Sequence, residues 1–141
     1  MLAYLAEHIT MTLATAVEGE PRAATLFYAN DGFELFFLSD PESVHSQHVS
    51  RNPRVFVTVS QDYADWQQIR GIQLSGQAEL APDEGHAEAV YVAKFPFVAS
   101  FPRGGFRYWR ITPEWIRMTD NTIAFAHKDE LNLSELTAPA D

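Results

Sequence analysis

From residue 69 to residue 80 the chain alternates: Ile72, Leu74, Gly76, Ala78 and Leu80 fall on one side, and Gln73, Ser75, Gln77 and Glu79 on the other. A period of two puts one side of an extended segment in a core and the other in water, so this stretch predicts a half-buried strand. Gly71 and Gly76 within it predict bulges or a sharp bend. Shorter β-branched and aromatic runs predict further strands at 11–17, 22–28, 33–38, 55–59, 106–111, 115–119 and 122–126. Glu18-Gly19-Glu20-Pro21, Asn30-Asp31-Gly32, Thr112-Pro113-Glu114 and Asp120-Asn121 separate them as turns. The Asn-Asp-Gly turn is a tight hairpin signal, so the first three strands are expected to form an antiparallel meander.

Three helices interrupt the strands. Residues 2–9 place Leu2, Leu5 and Ile9 on one face. Ser39-Asp40-Pro41-Glu42-Ser43 supplies a capping side chain, a first-turn Pro and acids at the positive end, and the helix it starts must stop before Asn52-Pro53. Pro82-Asp83-Glu84-Gly85-His86 opens a third helix that runs to about Phe95, with Ala89, Val92 and Ala93 or Phe95 turned inward, and Pro96 ends it. Residues 61–68 and 97–105 read as loops. Seven or eight strands and two or three short helices in 141 residues favour a mainly β fold, a closed or nearly closed barrel without free edges. The length fits one domain, taken as 1–130, with a polar tail over 131–141 that frays at Pro139-Ala140-Asp141.

Composition narrows the function classes. Hydrophobic residues at 46% and charged residues at 21% are those of an ordered domain. Aromatics reach 13%, which suits a β-rich core, a flat ligand pocket or a large dimer interface. A net charge of −9 argues against nucleic acid and against an anionic membrane surface. With no cysteine there is no disulfide, thiol chemistry or Cys-based metal site. No basic n-region opens the chain and no apolar run reaches a membrane span, so a soluble, cytoplasmic protein is expected.

The chemistry-bearing residues are few. His45 and His48 lie three apart on the second helix and share a face, but no third close-set metal ligand accompanies them, so no metal site is expected. There is no P-loop, no G-x-G-x-x-G and no nucleophile elbow. Gly104-Gly105 reads as a hinge before it reads as a phosphate cradle. Arg103, Arg107, Arg110 and Arg117 gather near the aromatic run; alternation puts Arg107 and Trp109 on one face and Tyr108 and Arg110 on the other. Two readings stand side by side: surface charge over core aromatics, or a cationic and aromatic wall for a flat anion. The helix opened by residues 39–43 has the same double reading, as a well-capped crossover or as a place where hydroxyls, imidazoles and backbone N–H groups meet an anion.

The order MTLATAVEGEPRAATLFYANDGFELFFLSDPESVHSQHVSRNPRVFVTV resembles the first half of the pyridoxamine 5′-phosphate oxidase-like FMN-binding split barrels, and IRGIQLSGQAEL resembles their next strand. KFPFVASFPRGGFRYWRITPEWIRMTDNTIAF resembles the C-terminal half of a branch of small bacterial members. The resemblance implies a split β-barrel of Greek-key type, a homodimer with FMN at its interface, and an oxidoreductase acting on a small molecule. It implies Thr25, Leu26 and Phe27 along the flavin, Ser39 near the ring or ribityl chain, and Ser43 and His45 on the phosphate. Trp66, Gln73 and Trp109 are implied as contributions of the second subunit. Val44 departs from the family, which has Arg or Lys there, and leaves the phosphate to Arg22 or a partner arginine. A true pyridoxamine phosphate oxidase is not expected, since the resemblance does not extend to the C-terminal segment such enzymes use for substrate. A non-enzymatic flavin- or haem-binding module, with His45 or His48 as haem ligand, and a cofactor-free structural dimer are the alternatives on the same fold.

Overall fold

The computed structural model describes residues 1–137. Eight strands form one curled antiparallel sheet: β1 Thr10–Val17, β2 Glu20–Phe27, β3 Ala29–Asp31, β4 Glu34–Ser39, β5 Arg54–Val59, β6 Arg70–Leu80, β7 Arg107–Asp120 and β8 Lys128–Asn132. Their order is β2-β1-β5-β6-β7-β4-β3, and β8 adds to β7. The mainly β class expected from the patterning is the observed one. The helices are α1 Leu2–Glu7, α2 Val44–Arg51, α3 Glu84–Lys94 and α4 Leu133–Thr137.

The β1–β2 hairpin turns on Glu18 and Gly19, whose φ values of 54° and 79° are the paired positive angles of a type I′ turn. The expected meander does not form. After Phe27 the chain starts a second hairpin, β3–β4, which joins the far end of the sheet by pairing β4 with β7. Asn30 and Asp31 lie in β3, and the reversal falls on Gly32 and Phe33.

Thr112-Pro113-Glu114 is not a turn either. β7 is one long strand, and the register against β6 slips between Ser75 and Gly76, where Gly76 faces Pro113. A bulge tolerates a residue with no N–H to give. Gly76 is required there because a Cβ would sit 2.3 Å from the Thr112 carbonyl oxygen. The strand expected over 122–126 is a loop; the pairing strand is β8, where Leu131 meets Ile116. Residues 131–137, read as the start of a polar tail, finish β8 and form α4, because Leu133 is buried in the core. Pro139-Ala140-Asp141 lies outside the described residues.

The curled sheet has two apolar faces. Its inner face packs Met11, Leu13, Leu35, Phe37, Val57, Leu74, Trp109 and Ile111 into the main core, with Tyr4 and Leu5 of α1 and Val49 of α2 joining it. In α1 it is Tyr4 and Leu5 that are buried, while Leu2 and Ile9 are exposed. The outer face of β4 and β7 presents Phe36 and Tyr108 to α3, which therefore turns Ala87 and Tyr91 inward, with Phe95 behind them, and leaves Ala89 and Ala93 outside. Among the described residues no helix is long and apolar enough to cross a membrane.

Candidate functional site

The second helix starts later than the Asp-Pro-Glu signal implied. Asp40, Pro41 and Glu42 make a turn in which the Asp40 carboxylate accepts the Glu42 N–H at 2.9 Å, and Ser43 is the N-cap. The first turn of α2 therefore holds no acid. Its two buried side chains, Ser46 and Val49, face the barrel. Ser46 places a buried hydroxyl beside Ser39 at the end of β4.

These residues form a closed set of hydrogen bonds. The Ser43 hydroxyl donates to Ser46 Oγ at 2.7 Å, and the Ser46 hydroxyl donates to Ser39 Oγ at 3.4 Å. Ser39 Oγ lies 2.6 Å from His45 Nε2 and 3.3 Å from Ser43 Oγ. Nε2 lies 3.2 Å from Ser43 Oγ as well, and Ser43 Oγ accepts the Ser46 N–H at 3.3 Å. A neutral His45 with its proton on Nδ1 accepts at Nε2, and one with its proton on Nε2 donates there. Burial favours the neutral ring and lowers its pKa below the ordinary value. Trp109 closes the floor: its indole N–H donates to the Ser39 carbonyl at 3.3 Å, and its ring stacks on Phe37 at 6.2 Å, with 9° between the planes.

Ser46 was missed by sequence reasoning. Its signal is its place three residues after the capping Ser43, where a side chain comes back over the cap. Trp109 is 3% exposed and sits beneath Ser39 of its own chain, so it is a wall of this cluster and not an outward contribution to a partner. Alternation set Trp109 and Tyr108 on opposite faces and so they lie, Trp109 in the inner core and Tyr108 against α3; it was the resemblance that implied a partner role for Trp109.

The other candidates lie elsewhere. Thr25, Leu26 and Phe27 end β2, an edge strand of the sheet, with Thr25 and Phe27 exposed. Gln73 is exposed on the outer face, opposite Thr58 and Arg117 in register. Trp66 is 56% exposed on a single 3-10 turn, Trp66–Gln68, at the other end of the barrel, edge-on to Phe125 at 5.7 Å. One chain does not bring these three regions together. Nor do His45 and His48 converge: His48 Nδ1 is 3.0 Å from Thr15 Oγ1, a different partner. Among the described residues no group of three or more His, Asp or Glu is set to hold a metal ion.

The arginine cluster resolves in favour of surface ion pairs. Arg103 and Arg107 share Glu84, with Arg107 at 2.8 Å, and the Arg107 contact leads in holding the Glu84 carboxyl below its usual range. Arg110 pairs with Glu79 at 2.5 Å and Glu34 at 3.3 Å, and Arg117 with Glu130 at 2.5 Å. Arg51, at the end of α2, pairs with Glu18 at 2.8 Å. Among the described residues no fixed cation touches the Ser39–Ser43–Ser46–His45 set. Arg22 stands opposite Thr15 in register, one strand away. The set fits a phosphate by hydroxyls, by a convertible imidazole and by the unpaired first amides of a helix; it does not fit one by charge.

Residues 1–120 match the family model described as pyridoxamine 5′-phosphate oxidase. A UPF0306 protein of Photorhabdus laumondii is 30% identical over 129 residues, 89% of this chain and 88% of that protein. Two solved structures are alike in fold. A haem-binding protein from Mycobacterium smegmatis superposes with a TM-score of 0.76 at 18% identity over 92% of this chain, which spans only 56% of that protein. An FAD-binding protein from Mesorhizobium loti superposes with a TM-score of 0.69 at 21% identity, over 83% of this chain and 89% of its own.

Proposed function

Since the chain belongs to the pyridoxamine 5′-phosphate oxidase family, we propose that it binds FMN and acts as an oxidoreductase on a small-molecule substrate. The observation that carries this reading is the hydroxyl–imidazole set at the start of α2. Ser43 and Ser39 offer hydroxyls, the first amides of the helix point outward with the positive end of its dipole, and His45 can take up a proton beside a phosphate dianion. When bound, the flavin supplies the redox chemistry, and the protein supplies binding and its electrostatic setting. The free edge of β2 offers the backbone groups of Thr25, Leu26 and Phe27 to the flavin. Trp109 and Phe37, stacked under Ser39, shut water out from below.

The cofactor site is completed by a second copy of the chain. The outer face of β1, β5, β6 and the C-terminal half of β7 carries Thr12, Ala14, Phe56, Thr58, Gln73 and Trp115, with the Phe56 and Trp115 rings 6.1 Å apart. Phe56 is 40% exposed there, on a face that the helices leave open. Pairing that face would bring Gln73 of one copy toward the flavin of the other. The haem alternative gains no support, because His45 and His48 are each held by a hydroxyl.

Titration of the purified protein with FMN, followed by quenching of flavin fluorescence, tests the reading. Ser43→Ala with His45→Ala removes two direct contacts and should weaken FMN by roughly tenfold or more, at about 1 kcal/mol each. A protein that does not bind FMN, or a double variant that binds it as well as the native chain, overturns it.

A further inference from the structure

Beyond Leu38, on the face of β4 and β7 that looks away from Ser39, lies a cavity of about 390 Å³. Leu38, Val98, Phe101 and Phe106 give it apolar walls, and Tyr108, Glu88 and Arg103 line it too. Phe101 and Phe106 are 65% and 46% exposed, on the segment that follows the 3-10 turn Pro96–Ser100. Large rings left this open around a concavity mark a binding surface more often than an ordinary surface loop.

Two polar groups in this cavity have no partner. Tyr108 is 1% exposed, yet its hydroxyl makes no hydrogen bond among the described residues. The hydroxyl is not sealed in: the one buried, unpartnered side-chain atom shut off from solvent among the described residues is Arg110 Nε. Open to solvent in this way, the hydroxyl is free to exchange water for a ligand group where Tyr108 lines the cavity. Glu88, on the exposed side of α3, makes no ion pair or hydrogen bond among the described residues either. The neighbouring cations are already spent, since Arg103 and Arg107 both turn to Glu84. What remains on offer is a carboxylate, a hydroxyl and the π faces of Phe101 and Phe106. The Arg103 guanidinium, 5.0 Å above the Tyr108 ring, shows that this face accepts a cation. Burial first, and then the Glu88 carboxylate, raise the Tyr108 pKa, with Arg103 opposing them.

We propose that this cavity binds a small organic ammonium ion, with its apolar body on Leu38, Val98, Phe101 and Phe106 and its N–H groups on Glu88 and the Tyr108 hydroxyl. The site is separate from the flavin reading, because Leu38 and Tyr108 face α3 while Ser39 and Trp109 face the inner core.

Calorimetric titration of the flavin-free protein with 2-phenylethylamine tests it, with 3-phenylpropanoate and 2-phenylethanol as matched probes. The amine should bind more tightly than either. Glu88→Gln, an exposed change that leaves the core alone, should weaken the amine about tenfold, the loss of one charge-assisted hydrogen bond, and should leave the alcohol unchanged. Tyr108→Phe, checked for folding by circular dichroism, should weaken the amine severalfold. Equal or tighter binding of the carboxylate, no saturable amine binding, or an unchanged affinity in Glu88→Gln overturns the proposal. Ser43→Ala with His45→Ala should leave amine binding intact, so failure here and failure of the flavin reading give different results.

Discussion

Val44→Arg is the change that presses hardest on the phosphate assignment. Val44 is the first residue of α2 and is 52% exposed, so a longer side chain has room and little apolar contact is lost. It stands between Ser43 and His45, where the described residues supply no fixed charge. A hydrogen bond to a charged group contributes about 1.5–3 kcal/mol, or roughly ten- to a hundredfold in affinity. Exposure and salt pull the figure to the lower end, so FMN should bind about tenfold tighter. A cation at a helix N-terminus opposes the dipole and costs about 0.3–1 kcal/mol of stability, so the melting temperature should fall slightly while affinity rises. Fluorescence titration with FMN at low and high salt, with Val44→Gln as an uncharged control, reads the effect; the gain should shrink at high salt. If Val44→Arg binds no better than Val44→Gln at low salt, the phosphate is not at the start of α2.

Three further outcomes follow from the geometry. Burial lowers the His45 pKa and thus disfavours its charged form, whereas a bound dianion favours it; FMN binding should take up a proton, and affinity should rise as pH falls from about 8 to about 6, where the phosphate itself begins to protonate. His45→Asn should flatten that profile in the same titration. Gly76→Ala drives a Cβ into backbone at Thr112 and Pro113 and should cost about 3 kcal/mol, the upper end for overpacking, a drop of roughly 10 °C on thermal melting. Lys94 donates to the His8 carbonyl and lies 4.2 Å from the Tyr28 ring centre, and burial lowers its pKa from 10.5 to about 8. Because the unfolded chain holds that proton more tightly, stability should increase as pH rises from about 8 toward 10, and urea midpoints of Lys94→Met should not follow that rise.

Local patterning made the strands legible and left their partners hidden. The alternation from Ile72 to Ala78 reports burial directly, and those residues are buried as expected. Only Leu80, at the strand end, escapes the pattern at 41% exposure. Pairing in a curled sheet is set by contacts far apart in sequence. That is why β4 meets β7 and not β2, and why Asn30-Asp31-Gly32 looked like a simple hairpin turn. Pro113 reads as a break because a missing N–H usually ends a strand; opposite Gly76 the bulge makes no use of that N–H. On α3 the inward Phe95 was legible, but Ala87 and Tyr91 were not, because they are drawn in by Phe36 and Tyr108 on an outer sheet face taken for solvent. At the candidate site the cap and the imidazole were readable from Ser43 and His45. The inward turn of His45 onto Ser39 and the buried Ser46 were not, since both depend on where β4 ends relative to α2. The pairing of every clustered arginine with a carboxylate was equally out of reach of a single strand's sequence.

FMN and riboflavin differ only by the phosphate, so their relative affinity for the native chain and for Ser43→Ala tests the central claim most directly. The native chain should bind FMN more tightly than riboflavin, and Ser43→Ala should lose most of that preference while riboflavin affinity holds. Equal affinity for the two flavins in the native chain, or a preference that survives in Ser43→Ala, would contradict it.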